Sequence, residues 1–123
     1  MQNPDTHRTK ALVERLFAAY KRGDSRALFD HVADDVHWTI TAKNPLSGEY
    51  HSKQEFLEAT YERLAAVLKE PVRPRLRRIV AEGDLAAVVE WHGQATSIAD
   101  RPYDNDYCWV ICVDEDRIVE VSA

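Results

Sequence analysis

The residues with the clearest capacity for small-molecule chemistry lie on one predicted strand, from Tyr103 to Val113. Side chains alternate between the two faces of a strand, so every second residue shares a face. One such set holds all the aromatic residues of this segment and one amide. Its members are Tyr103, Asn105, Tyr107, Trp109, Ile111 and Val113. We predict that this set points inward, because an apolar wall with a few polar groups is typical of a pocket for a small molecule.

Two further predicted strands add side chains to this pocket. Alternation from Val36 to Thr41 places Trp38 and Ile40 on the inner side. From Leu85 to Ser97 the inward set is Leu85, Ala87, Val89 and Trp91, which leaves Glu90 and His92 outside. The three tryptophans of the chain are therefore expected to converge on one pocket, with Asn105 and the two tyrosine hydroxyls as its polar groups.

The alternative interpretation is that these aromatic residues are ordinary core, which is as frequent for each of them taken singly. Asn105 is the more informative residue. A buried amide without partners costs free energy, so a buried Asn105 either binds backbone or faces a ligand.

Other kinds of site have little support. The histidines are His7, His31, His37, His51 and His92, without the i, i+4 pairing of a zinc-binding helix. His37 and His51 flank one loop and could approach each other, but surface histidines explain them better. Phosphate-binding glycine loops, serine nucleophile motifs and dinucleotide fingerprints are missing from the sequence, so we predict neither a metal nor an organic cofactor.

Composition limits the class of protein. The chain has 123 residues, 45% of them hydrophobic and 30% charged, with a formal net charge of −5. An acidic balance disfavours nucleic-acid binding. We therefore interpret the basic cluster of Arg73, Arg75, Arg77 and Arg78 as surface ion pairs or dimer contacts. Two cysteines without an apolar leader predict a cytoplasmic protein, and no stretch is apolar enough for a membrane span.

The order of elements predicts a single domain over residues 1–123, with a polar tail at 1–4. The first predicted helix is capped by Asp5 or Thr6 and stops at Gly23. The second starts near Asp24 and ends at Ala33-Asp34-Asp35. The third starts at Ser52 and is closed by Pro71. Asn44-Pro45 and Ser47-Gly48 mark a loop before the third helix. Strands are predicted for Val36 to Thr41, Val72 to Ala81, Leu85 to Ser97, Tyr103 to Val113 and Arg117 to Val121, with a turn at Glu82-Gly83-Asp84. The pattern indicates an α+β fold, with three helices packed on one face of a bent antiparallel sheet.

Several segments, in this order, resemble the nuclear-transport-factor-2-like superfamily, and within it the SnoaL-like polyketide cyclases, to which ketosteroid isomerases are related. The segments run over residues 17–24 (FAAYKRGD), 33–38 (ADDVHW), 44–48 (NPLSG), 101–109 (RPYDNDYCW) and 116–121 (DRIVEV). The resemblance implies a cone-shaped curved sheet around an apolar cavity, and a homodimer formed through the outer face of the sheet.

The resemblance also implies acid–base chemistry by a carboxylate on a ketone-bearing substrate, without a cofactor. The isomerase positions are occupied here by Leu16, Ile40 and Trp109, which cannot act as the tyrosine and the two acids. In the cyclases the acid–base aspartate lies on the final strand, beyond a segment like Glu120-Val121, and the sequence given ends at Ala123. The acid–base residue is therefore unidentified.

The remaining acids have ordinary interpretations. Asp34 and Asp35 are predicted to form a turn, Asp104 and Asp106 to face outward unless a bulge redirects one, and Glu49 to lie near the cavity mouth. Two hypotheses stay open. One is a SnoaL-like isomerase or cyclase in which Asn105, Tyr103 and Tyr107 orient a substrate carbonyl. The other is a non-catalytic module for binding an apolar small molecule or for dimerisation.

Overall fold

Three helical segments pack against one face of a sheet. A computed structural model describes residues 4–82 and 86–123, with side chains from residue 8 onward. The helical elements are α1 (Pro4–Lys21), α2 (Ser25–Asp30), α3 (Lys53–Phe56), a π-helical turn (Leu57–Tyr61) and α4 (Glu62–Val67). The last three follow one another without a break and form the predicted third helix. Among the described residues, no helix combines the length and the apolar character needed to cross a membrane.

The helix boundaries follow local chemistry. After α1, Gly23 takes a φ of 94°, a conformation that glycine adopts without strain, and its N–H donates to the Tyr20 carbonyl at 2.9 Å. The carboxylate of Asp24 accepts from the Ala27 amide at 3.2 Å and caps α2. The Ser52 hydroxyl accepts from the backbone N–H of Glu55 at 3.0 Å and caps α3. The stop at Gly23 and the starts at Asp24 and Ser52 confirm the sequence predictions. The predicted cap at Asp5 or Thr6 is wrong, because α1 begins at Pro4 and both residues lie inside it, and the second and third helical segments end earlier than predicted, at Asp30 and Val67.

Six strands form one curved, unclosed sheet in the order β2-β1-β6-β5-β4-β3. The strands are β1 (Val32–Ile40), β2 (Gly48–Tyr50), β3 (Arg73–Glu82), β4 (Ala86–Thr96), β5 (Pro102–Asp114) and β6 (Arg117–Ser122). The predicted α+β architecture is confirmed. Residues 83 and 84 of the predicted turn, and Leu85, lie outside the described residues.

The sheet departs from the sequence prediction in three places. The first strand begins at Val32, not Val36, so the segment predicted to turn, from Ala33 to Asp35, lies inside β1. A shift in the register with β6 between Val32 and His37 accommodates these residues, because an irregular strand can carry exposed acids between two buried valines. The predicted loop at Asn44-Pro45 and Ser47-Gly48 is confirmed for residues 41–47, but it is followed by a short strand, Gly48–Tyr50, that the sequence did not predict. The sheet is antiparallel except where β1 pairs with β6 in parallel.

The core lies between the helices and the inner face of the sheet. On β4, Ala87, Val89 and Trp91 are all buried, as the alternation predicts. The apolar stripe of α1 joins the same core through four buried side chains, Leu12, Val13, Leu16 and Phe17, of which Phe17 contacts the ring of Trp91. The same alternation that builds this core also lines the open end of the sheet with aromatic residues.

Candidate functional site

A cavity of about 330 Å³ lies between the helices and the inner face of the curved sheet. Seven of the residues that the sequence analysis placed on the inner side line it, whereas Ala87, Val89, Ile111 and Val113 are buried in the core. The seven lining residues are Trp38, Ile40, Trp91, Tyr103, Asn105, Tyr107 and Trp109. The structure thus brings the three predicted strands together around one space, and contact of these side chains with a ligand stays a prediction.

The lining changes from buried to exposed along β5. Trp38 on β1 and Trp91 on β4 are the most deeply buried aromatic residues of the lining, at 1% and 3% exposed. Tyr107 and Trp109 are partly buried, whereas Asn105 is exposed. The expectation that the amide of Asn105 is buried is therefore wrong, and its contact with a ligand stays a prediction. This part of β5 pairs with β4 along one edge only, because β6 reaches no further along β5 than Val110, so the strand end stays open to solvent.

The three tryptophans converge in edge-to-face contacts. The Trp109 ring lies 5.1 Å from that of Trp38, at an interplanar angle of 84°, and 5.1 Å from that of Trp91, at 88°. Trp38 stacks on Phe56 with ring centroids 3.9 Å apart. These arrangements suit the charge distribution of aromatic rings and fix the shape of the apolar wall.

The helices supply lining residues that the strand-based analysis missed. Tyr20 closes the cavity from the end of α1, and Phe56 and Tyr61 close it from the third helical segment. The apolar stripes of these helices contained the signal, since all three residues share the helical spacing of the buried side chains. The hydroxyl of Tyr61 donates to Ser25 at 2.8 Å, which ties this segment to α2.

One buried polar atom of a cavity-lining residue has no partner among the described residues. Nε1 of Trp91 is buried and makes no hydrogen bond within the part of the chain that the structure describes. An indole N–H can only donate, and leaving it unpaired in a buried position costs on the order of 1–3 kcal/mol.

Two tyrosines that line the cavity, Tyr20 and Tyr107, have raised pKa values. Burial raises the pKa of Tyr107 to about 12, with Tyr103 adding to the rise and Asn105 opposing it. Burial also raises the pKa of Tyr20, assisted by Tyr61 and Tyr107. Both hydroxyls therefore keep their protons at neutral pH and can donate to an acceptor, but they cannot act as bases there.

The sequence profile of the SnoaL-like domain matches residues 13–121, which is most of the chain. The chain belongs to the SnoaL-like domain family. This result confirms the resemblance found in the sequence. No curated protein sequence matches the chain.

Solved structures show the same fold as this SnoaL-like domain. An NTF2-like protein from Burkholderia thailandensis is 23% identical, with a TM-score of 0.76 over 99% of this chain and 89% of its own. TerC, co-crystallized with polyporic acid, is 17% identical, with a TM-score of 0.75 over 93% of this chain and 88% of its own. A putative polyketide cyclase from Xanthomonas campestris is 18% identical, with a TM-score of 0.72 over 96% and 90%. At these identities the likeness establishes the fold.

Asp106 carries the one acidic side chain among the described residues that line the cavity of the SnoaL-like domain. Its Oδ1 lies 2.8 Å from Nδ1 of His92 and 3.2 Å from Arg77. His92, followed by Arg77, lowers the pKa of this carboxyl. Because β5 pairs with β4 without a register shift, no bulge turns Asp106 inward. Its carboxylate is engaged in ion pairs and is not a free base in the cavity.

The other acids considered in the sequence lie away from the cavity wall. Asp34 is exposed and pairs with Lys53 at 3.4 Å, and Asp35 is also exposed on β1. Asp104 is exposed as predicted. Glu49 lies on β2, next to the buried Tyr50, and does not line the cavity.

The basic cluster forms surface ion pairs, as predicted. Arg77 lies 3.2 Å from Asp106, Arg78 lies 3.8 Å from Glu90, and Arg73 lies 3.6 Å from Glu70. The participating side chains are largely exposed, so each pair adds little stability.

Proposed function

We propose that this SnoaL-like domain binds an apolar small molecule that carries a carbonyl group. The unpartnered Nε1 of Trp91 is the observation that carries the proposal. A carbonyl oxygen in the cavity would accept from this N–H, while the rest of the ligand would replace water against aromatic rings. The volume of about 330 Å³ lies at the lower end of the range of ~300–1,000 Å³ for ligand pockets, which favours a compact ligand.

The chemistry of the wall supports this ligand class. Trp38 and Trp109 offer apolar faces, and the protonated hydroxyl of Tyr107 offers a second donor. Among the structural relatives, TerC was crystallised with polyporic acid and another protein is named a putative polyketide cyclase. These names are compatible with an aromatic or polyketide-like ketone.

Paired ligands test the carbonyl directly. Isothermal titration with aromatic and steroid-like ketones, each beside its carbonyl-free analogue, measures what the carbonyl adds to affinity. We expect the ketone of a fitting pair to bind about tenfold more tightly, the effect of one hydrogen bond of roughly 1.4 kcal/mol. Trp91→Phe removes the N–H and keeps a ring, so it should abolish the preference while the analogue still binds.

Trp109→Phe is the matched control, because it changes another tryptophan of the same wall and leaves Nε1 of Trp91 in place. It should keep the preference for the ketone. Absence of binding by every ligand pair, or a Trp91→Phe variant that still prefers the ketone, would overturn the proposal.

Acid–base conversion of the same ketone is the second candidate function. Tyr107 favours it, because a neutral hydroxyl beside Asn105 and Tyr103 can polarise a carbonyl. The ion pairs of Asp106 with His92 and Arg77 oppose it, because proton abstraction needs a free base. Exchange of the protons α to the carbonyl in D2O, followed by NMR, separates the two. Accelerated exchange that is lost in Tyr107→Phe and Asn105→Asp supports catalysis; exchange at the uncatalysed rate supports binding alone.

A further inference from the structure

The outer face of the β1–β2 hairpin brings two histidines and a glutamate together. Trp38 pairs with Tyr50 and Thr39 with Glu49, and the same register places His37 opposite His51. Trp38 and Tyr50 are buried on the inner side of the hairpin. Alternation therefore puts His37, Glu49 and His51 on the opposite side, where all three are exposed.

The three side chains are close enough to share one ion. The imidazole centroids of His37 and His51 lie 4.9 Å apart, with their planes at 36°. One ligand atom from each of the three residues lies within 4.8 Å of the others. In a tetrahedral zinc site, with bonds of about 2.0–2.1 Å, ligand atoms are about 3.4 Å apart. Small rotations of exposed side chains cover this difference.

The hairpin holds these ligands without using their side-chain atoms. The backbone N–H of His51 donates to the Glu55 carboxylate at 3.3 Å, and the Tyr50 hydroxyl donates to the Leu46 carbonyl at 2.6 Å. Among the described residues, no hydrogen bond or ion pair engages the side chains of His37, Glu49 or His51. The backbone is thus braced while the three ligand groups stay available.

We propose that His37, Glu49 and His51 form a binding site for a divalent transition metal ion such as Zn²⁺. Imidazole nitrogens and a carboxylate oxygen suit this class of ion and do not suit Mg²⁺ or Ca²⁺, which take oxygen ligands. Three protein ligands leave one tetrahedral position for water, which is the arrangement of an open zinc site. This site is separate from the cavity and does not depend on the proposed function.

A bound ion at this position would link β1 to β2. The residues between these strands, 41–47, include Ala42, Asn44 and Leu46, which line the cavity. Binding is therefore expected to restrict the motion of the cavity rim.

Titration with Zn²⁺ against a chromophoric chelator tests the site on the whole chain. We expect one tight ion per chain, and a visible absorption spectrum of tetrahedral type when Co²⁺ replaces Zn²⁺. His37→Ala, His51→Ala and Glu49→Gln should each lower the affinity for Zn²⁺ at least about tenfold. Loss of a group that only hydrogen-bonds to a metal ligand already has an effect of this size.

His92→Ala is the matched control, because His92 is on the same sheet but pairs with Asp106. It should bind Zn²⁺ as the parent does. The ligand positions are exposed, so circular dichroism should show every variant folded. Equal Zn²⁺ affinity for the parent and a His37→Ala/His51→Ala double variant, or equal weakening by His92→Ala, would refute the site.

Discussion

The indole ring of Trp91 lies stacked on the phenol ring of Tyr107, with centroids 4.1 Å apart and planes at 18°. The two residues are direct cross-strand partners between β4 and β5. Direct pairing fixes both rings against each other, so the residue with the unpartnered N–H and the residue with the second hydroxyl donor form one unit of the cavity wall. The stack is therefore the structural basis of the proposed carbonyl site.

Gly93 provides the space for this stack. A Cβ at this position would lie 2.8 Å from Val72 and 3.0 Å from each of the two stacked rings. Gly93→Ala should therefore displace the rings, lower the free energy of unfolding by about 1–3 kcal/mol and weaken ketone binding. Urea unfolding and isothermal titration measure the two effects. The exposed neighbour offers a control in Gln94→Ala, which should change neither. A Gly93→Ala protein of unchanged stability and affinity would contradict the packing described.

Trp38 supports the cavity and the core together. It is 1% exposed and stacks on Phe56, so its removal leaves a large void. Trp38→Ala should lower the free energy of unfolding by about 3–5 kcal/mol, as measured by urea denaturation. Ile98, which is 63% exposed, provides the comparison: Ile98→Ala should stay within about 0.5 kcal/mol of the parent. A small effect at Trp38 would show that its ring is not packed as described.

Tyr107 should make the fold sensitive to alkaline pH. Its pKa rises from 10.0 in the usual state to about 12 in the fold, so the native state holds the proton more tightly than the unfolded state does. The resulting stability is complete below about pH 10 and is lost as the pH rises towards 12. Between about pH 10 and 12, the free energy of unfolding of the Tyr107→Phe protein should fall less steeply than that of the parent, by up to about 1.4 kcal/mol per pH unit. Unfolding measured at pH 9, 10 and 11 tests this, and parallel curves for the two proteins would contradict it.

The homodimer implied by the resemblance can be tested on the outer face of the sheet. Val80 pairs with Val88, and Val88 with Val110, which forms an apolar row across three strands. Val80 and Val110 are 55% and 41% exposed. We expect a dimer in light scattering, and a monomer after Val80→Glu or Val110→Glu, because a charge would be buried. Val67→Glu changes an equally exposed valine of α4 and should remain dimeric. A monomeric parent protein would exclude this interface.

Alternation along each strand let the sequence predict the inner faces of β4 and β5, and helical spacing with capping residues let it predict the helices. These patterns depend on residues a few positions apart, so they can be recognised in the chain alone. The same local information assigned Trp38, Trp91 and Trp109 to one wall. It also indicated that His37 and His51 flank a common loop.

Only the tertiary structure decided how these faces meet. The parallel pairing of β1 with β6, the short β2 strand and the closure of the cavity by Tyr20 all depend on segments far apart in the chain. The exposure of Asn105 has the same origin, because it depends on how far β6 extends beside β5. The proximity of Glu49 to the histidines also required the register of β2. Local sequence determines which side of an element is apolar, but burial and ligand geometry arise from the elements packed around it.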